Sequence, residues 1–373
     1  MGDAYTPGLT VTRRTIVRKT RRLPMPGTVL RAVGDRVNAA DVVARTSLPG
    51  KVHMLNLGTA LGAMPDELAA KLVVQPGGAL TKGTVIAESR SFFGLFRSRA
   101  LSPIDGTLES VSAVTGQAVL REPPVPVEVK AYLDGTIVEI LEGEGVVVET
   151  EAALVQGIFG LAGEVHAPLV MIATRPDQPL EAGDLTAAHA GMVVVGGARV
   201  SLAAMRRAME LGVAAIVAGG FAYQDVRELL GYDVGVAITG TEKLATTLVV
   251  TEGFGDIAMA KATFALLAGF AGRIASVCGA TQIRAGVIRP EVVIPAEAGV
   301  AREVELEAGE GGLVVGAPVR CIRAPHFGKL GTISALPHAL HTMPSETRVR
   351  VLEVDLGDER ILVARANVEV IER

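Results

Sequence analysis

From Gly191 to Pro290, short runs of Val and Ile alternate with segments whose apolar residues recur at helical spacing, while the flanking sequence reads almost entirely as strand. Met192 to Val195 is one continuous apolar run. Leu202, Met205 and Met209 then mark a helix that Ser201 is placed to cap and Gly212 to close. Val213 to Val217 repeats the strand, Tyr223 to Leu230 a helix ending at Gly231, and Val234 to Ile238 a further strand. Leu248 to Val250, a helix through Phe264, Leu266 and Leu267, and Ile274 to Val277 complete the series. Strands buried on both faces and alternating with helices predict a mostly parallel layered sheet, the α/β class. Leu169 to Ala173, within the connection from Pro168 to Pro179, is a further strand candidate.

Upstream, the chain repeats itself. Gly34-Asp35-Arg36-Val37 through Val43-Ala44 aligns with Gly77-Gly78-Ala79-Leu80 through Ile86-Ala87, forty-three residues later, and Asp105-Gly106-Thr107 recurs as Asp134-Gly135-Thr136. Short strands with Gly and Asp turns at this spacing predict a compact all-β unit. These segments, with Ser102-Pro103-Ile104 before the first Asp-Gly-Thr, resemble the barrel-sandwich hybrid of biotinyl and lipoyl domains. A carrier of that family holds its cofactor on a Lys at a tight hairpin, flanked by acidic or Met residues. Lys51 lies near that position between Pro49-Gly50 and Val52-His53, and Lys82 falls in the other half of the pattern. The resemblance therefore implies a structural hybrid and no cofactor.

Beyond Pro290 the pattern returns to strand, with Glu291 to Pro295 and Glu303 to Glu307 as candidates. Val314-Val315-Gly316 and Val319-Arg320-Cys321-Ile322-Arg323, followed by Phe327-Gly328-Lys329-Leu330-Gly331-Thr332-Ile333, resemble a KOW motif, with Gly331 as the family's glycine. That resemblance implies a small SH3-like barrel that binds RNA or protein, and residues 312–344 carry Arg320, Arg323 and Lys329 with no acid, which suits a phosphate or partner contact. Three units follow: a β-rich region over 1–168, an α/β domain over 169–295 and the SH3-like module over 296–373. His326, His338 and His341 share the last unit without a Cys or carboxylate at ligand spacing, so no metal is expected.

Composition narrows the function. The formal net charge of −4 argues against wholesale polyanion binding. Arg13, Arg14, Arg18, Lys19, Arg21 and Arg22 nevertheless fall within ten residues, either as a nucleic-acid arm or as a solvated edge strand. Ser91-Phe92-Phe93-Gly94-Leu95-Phe96 is either an exposed aromatic anchor or a plug for the β unit, and Val155 to Gly160 either faces solvent or seats two units together. Two cysteines, Cys278 and Cys321, too far apart for a metal pair, fit buried thiols and a cytoplasmic location. No apolar run is long enough to span a bilayer, so no membrane association is expected.

The candidate chemistry lies on the turns of the parallel sheet, because ligands of such sheets bind at the carboxyl ends of the strands. Gly196, Gly197, Arg199, Thr239, Gly240, Thr241, Lys243, Gly253 and Arg284 would surround a small anion, and Glu252 is the one candidate acid or base. Gly196 to Ile238 loosely resembles the regulatory modules known as DRTGG domains. No nucleophile elbow, Gly-x-Gly-x-x-Gly fingerprint or Walker A sequence is present. The expected function is a cytoplasmic, non-catalytic binding or scaffold protein with RNA or protein as partner and a small anionic ligand in its centre. The alternative is an enzyme acting on such an anion through Glu252 and Arg284.

Overall fold

The computed structural model describes residues 9–91, 96–232, 239–282, 288–296, 313, 315–322, 325–326, 328–337, 339–342, 348–357 and 359–370. Strand outweighs helix, 47% against 15%, and is divided among several sheets, so this is a mostly β, multidomain-like chain. The expected strands Val234 to Ile238 and Glu303 to Glu307, the Phe92 and Phe93 pair, Arg284, Arg323 and His338 lie outside the described residues.

The N-terminal repeat is a nested duplication. Strands β1 (Val11–Arg22), β2 (Thr28–Val29), β3 (Arg36–Val37) and β4 (Val42–Leu48) begin an outer copy. An inner copy follows, made of β5 (Val52–Asn56), α1 (Leu57–Leu61), α2 (Leu68–Lys71), β6 (Ala79–Leu80), β7 (Val85–Ser91), β8 (Phe96–Leu101), β9 (Gly106–Val111) and β10 (Gln117–Arg121). The outer copy resumes with β11 (Val125–Lys130), β12 (Gly135–Leu141) and β13 (Gly145–Gln156).

Their pairings correspond residue by residue. Ala44 opposes Val129 as Ala87 opposes Ala100, with a register shift at the same place in each pair. Gly135 opposes Val37 as Gly106 opposes Leu80, and β12–β13 carries the same register shift as β9–β10. The turns match too. Asp134 Oδ1 accepts the Ala39 N–H and Asp105 Oδ1 the Lys82 N–H, both at 2.7 Å. Gly106 and Gly135 both sit where a Cβ would strike the carbonyl oxygen of the neighbouring strand, at 1.9 and 2.3 Å, which is why each Asp-Gly-Thr turn needs its glycine.

The copies differ in what closes them. The inner copy inserts α1 and α2, whose Leu57, Leu61 and Leu68 fill its core with Leu80, Ile86, Leu108 and Leu120, all from within the inner copy. The outer copy has no such helices, and its core of Val17, Val43, Tyr132, Ile137 and Val148 takes in Val293 from beyond the duplication.

That contact belongs to an eleven-stranded sheet running across residue 168. Strands β15 (Glu164–Met171), β16 (Val193–Val195), β17 (Ala215–Phe221) and β18 (Thr247–Phe254) pair in parallel, as the Val/Ile runs predict. Helix α3 (Leu202–Leu211) links β16 to β17 and α4 (Tyr223–Leu230) links β17 to β18, α5 (Lys261–Gly269) follows β18, and β14 (Phe159–Leu161) is antiparallel to β18. The Ser201 hydroxyl accepts the Ala204 N–H, and Gly212 ends α3 in the left-handed conformation. Ile274 onwards departs from the parallel expectation. Strands β19 (Ile274–Cys278) and β20 (Glu291–Pro295) turn antiparallel and join β15 to β13 of the outer copy.

The C-terminal strands β21 (Pro318–Cys321), β22 (Leu330–Ala335), β23 (Leu340–Thr342), β24 (Arg348–Asp355), β25 (Arg360–Ala364) and β26 (Val368–Val370) form a separate six-stranded sheet. Its core, with Val319, Ile333, Leu352 and Val354 at the centre, is its own. Among the described residues, no helix is long and apolar enough to cross a membrane.

Candidate functional site

At the carboxyl ends of β16, β17 and β18 the glycines accommodate the chain's own backbone. A Cβ on Gly197 would lie 2.3 Å from the Arg175 carbonyl oxygen, one on Gly219 2.4 Å from that of Ile257, and one on Gly220 2.2 Å from that of Gly255. Gly196 packs on Leu180. The N–H of Met259 reaches the carbonyls of Pro176 and Gly197, so two loops close over this end. Arg199 is half-buried, 3.7 Å from Glu181, while its backbone pairs in parallel with Gly220.

Glu252, the candidate acid or base, is buried here. Its Oε1 accepts the Ala260 N–H at the start of α5, 3.0 Å away, so the anion at that helix N-terminus is the protein's own carboxylate. Its Oε2 accepts a 2.8 Å hydrogen bond from Arg320 Nη2 of the C-terminal sheet. Arg320 Nη1 donates to Glu369 Oε1 at 2.8 Å, and Arg289 Nη1 lies 3.4 Å from Glu369 Oε2. Charges therefore alternate along Glu252, Arg320, Glu369 and Arg289, which is the arrangement that lets buried ions coexist. Both Glu252 oxygens are thus engaged within the protein, one by the Ala260 N–H and the other by Arg320.

Thr239, Gly240, Thr241 and Lys243 gather elsewhere. They precede β18, whereas Glu252 and Gly253 lie near its far end, roughly 17 to 20 Å along the strand from its first residue, Thr247, at ~3.3 Å per residue. The Thr239 hydroxyl donates to the Gly160 carbonyl at 2.8 Å, inside the crossing of β14 with the end of β19. Gly240 (φ 111°) lies against Ala280. Glu242 Oε2 accepts the N–H groups of Gly240 and Ala162, at 2.7 and 2.9 Å. A carboxylate of the chain again occupies the N–H cluster an anion would use. Thr241 and Lys243 are exposed. Among the described residues the anion-site candidates thus form two groups, one toward each end of β18, and not one cradle.

In the C-terminal sheet Arg320 is buried in the ion chain, and Lys329 bonds Glu359 at 2.8 Å on the surface. The basic stretch is neutralised in the same way. Arg14 pairs with Glu151, Arg18 with Glu149, Lys19 with Glu291, Arg21 with Glu164 and Arg22 with Glu144, and Arg13 lies over the Phe270 ring. The charges of β1 are spent on β13, β15 and β20, with which the sheet brings them face to face.

A polar seam that spacing alone does not reveal lies between the outer copy and the parallel strands. Tyr132 is buried at φ 68°, its hydroxyl donating to Glu291 Oε1 at 3.2 Å and its carbonyl accepting from the Ser276 hydroxyl at 2.6 Å. His166 Nδ1 is 3.0 Å from Ser276 Oγ and its Nε2 3.7 Å from Asp134. The residue types are those of a hydrolase triad, but the chemistry differs. The serine proton is committed to a carbonyl that can only accept, so His166 must donate to Ser276 rather than receive its proton. Ser276 is also fully buried.

Burial pushes the Cys278 and Cys321 thiols up to about 11, and burial with the nearby Glu291 carboxylate holds the Tyr132 hydroxyl well above its usual value. Native chain at pH 7 is therefore expected to resist alkylation by iodoacetamide that urea-unfolded chain undergoes readily. These acids keep their protons longer when folded. Their contribution is complete below about pH 9 and is lost as pH rises through 9 to 11, with Tyr132 acting above about 10. Denaturation midpoints should fall across that range, and Cys278→Ala should flatten the first part.

Lys51, the would-be carrier position, sits in the neck joining the two copies. Its carbonyl accepts the Glu122 N–H, and a Cβ on the adjoining Gly50 would meet the Glu122 carbonyl at 1.9 Å. No cluster of three or more metal-ligating side chains occurs among the described residues. No protein-family model matches the chain, and no curated protein matches it.

Proposed function

We propose that the chain is a non-catalytic, multidomain docking protein whose partner is another protein. In this reading the nested copies are barrel-sandwich hybrids, the parallel strands with α3, α4 and α5 are an α/β domain, and the C-terminal sheet is an SH3-like module of the KOW kind. The duplicated registers support the first assignment. Gly331, where a Cβ would lie 2.4 Å from Val354, supports the last. Two free thiols favour a reducing, cytoplasmic setting.

The observation that carries the proposal is the mutual engagement of Glu252 and Arg320. The same bond occupies the candidate catalytic carboxylate and the candidate phosphate-binding cation. With Lys329 and five of the β1 cations also paired to acids, the C-terminal module's candidate phosphate contacts among the described residues are engaged within the chain, which favours protein over RNA. The inner copy offers a surface of the right kind. Its β5 is the terminal strand of a four-stranded sheet and shows Val52 and Met54 to solvent, where the corresponding face of β1 carries Arg18 and Thr20. An edge strand without charged guards can accept a partner strand.

Val52→Lys/Met54→Lys should abolish capture of the partner by the full chain while leaving its denaturation midpoint within ~0.5 kcal/mol of the parent. RNA binding that weakens with salt and is lost in Lys329→Ala would overturn the protein-docking reading.

A further inference from the structure

We infer that the C-terminal β module is a separable cap on the carboxyl-terminal rim of the parallel strands, and that Arg320 is the latch holding it there. Three observations carry this. First, the module's core is self-contained, so its fold does not require the rim. Ile322 alone of its described, buried residues belongs to the core of the parallel region.

Second, the seam is narrow and specific. Gly328 (φ 80°) lies flat on Phe254, where a Cβ would be 2.6 Å from the ring, and a Cβ on Gly253 would meet the Gly328 carbonyl at 2.7 Å. The Phe254 ring is backed by Phe159 at 4.9 Å and Tyr223 at 5.4 Å, so it presents a fixed surface to the module. Beside it stands the Glu252–Arg320 pair. Buried ion pairs fix geometry more than they add stability, which suits a contact that must form in one orientation and still release.

Third, among the described residues the docked state leaves a buried donor without a protein partner. Arg320 Nε is buried without a hydrogen-bond partner among the described residues. That donor is hydrated when the module swings away, so undocking recovers part of what it breaks. Because Glu252 also accepts the Ala260 N–H, release of the cap frees one side of the carboxylate that anchors α5. Cap position and the start of α5 are thereby coupled.

Hydrogen exchange of the full chain, read peptide by peptide in the parent, Arg320→Met and Glu252→Gln, tests the inference. Both variants should exchange about tenfold faster or more over residues 252–260, while β16 keeps its parent protection. Glu252→Gln lies outside the module and leaves Arg320 with Glu369, so β22 and β24 should stay protected in that variant even if Arg320→Met perturbs the module itself. Unchanged exchange at the rim in either variant overturns the latch. Loss of protection in β22 and β24 along with the rim in Glu252→Gln overturns the cap, because module and rim would then be one folding unit.

Discussion

Gly279→Ala is expected to destabilise the chain by about 3 kcal/mol, the upper end of what overpacking ordinarily costs. A Cβ at Gly279 would stand 2.0 Å from the Leu161 carbonyl oxygen, 2.6 Å from its carbon and 2.8 Å from the Ala162 carbonyl oxygen. All three are backbone atoms, so no rotamer change relieves the clash. The neighbourhood is equally crowded. Gly160 faces the Gly279 carbonyl at 2.5 Å from its would-be Cβ, and the Thr239 hydroxyl binds the Gly160 carbonyl. Pushing Leu161 aside would strain its pairing with Leu248 in β18 and the Gly279 N–H bond to Gly163. Urea unfolding should show a lower midpoint at an unchanged slope. Gly183, with nothing within 4 Å of its Cβ position, is the control, and Gly183→Ala should stay within ~0.5 kcal/mol of the parent. Equal midpoints for the two variants would mean that the strand crossing is looser than its geometry implies.

The crossing also shows where sequence ceases to be informative. The helices over residues 202–211, 223–230 and 261–269 and the strands β16, β17, β18 and β19 were legible, because apolar periodicity acts locally and Gly212 and Gly231 end α3 and α4 in the left-handed conformation. The duplication was legible for the same reason, since an Asp-Gly-Thr turn repeats its hydrogen bonds wherever it recurs. What could not be read was the purpose of the glycines. A glycine that admits a ligand and one that admits a loop of the chain itself look alike in sequence, and Gly197, Gly219 and Gly220 are of the second kind. Charge was ambiguous in the same way. The cations of β1 find their acids on β13, β15 and β20, more than a hundred residues on, and Arg320 finds Glu252 across 68 residues. Nor does spacing announce that Ile274 begins an antiparallel return, because a buried strand has the same composition in either direction.

The nesting leads to the second large effect. Replacing residues 49–124 by Asn-Gly should leave a folded chain, and the excised segment should fold by itself. Leu48 and Val125 are opposite one another in the β4–β11 ladder, so the cut ends already stand where a two-residue hairpin turn joins them. The inner copy, longer than the ~60 residues at which single domains commonly fold alone, keeps its whole core and the helices that close it. The outer copy keeps its own closure through Val293 and the Lys19–Glu291 and Tyr132–Glu291 contacts, none of which touches residues 49–124. What the cut severs is the two chain crossings that flank the neck, since the Glu122 N–H bond to the Lys51 carbonyl and the Arg121 bond to the Gly50 carbonyl both stay within the excised segment. In the shortened chain, exchange protection of β13 and β16 to β18 should match the parent. The fragment should unfold cooperatively in urea with a slope in proportion to its smaller buried surface. A shortened chain that binds hydrophobic dyes and loses protection in β13 would show that the two copies fold as one body. Each would then be stabilised through the neck, despite having a core of its own.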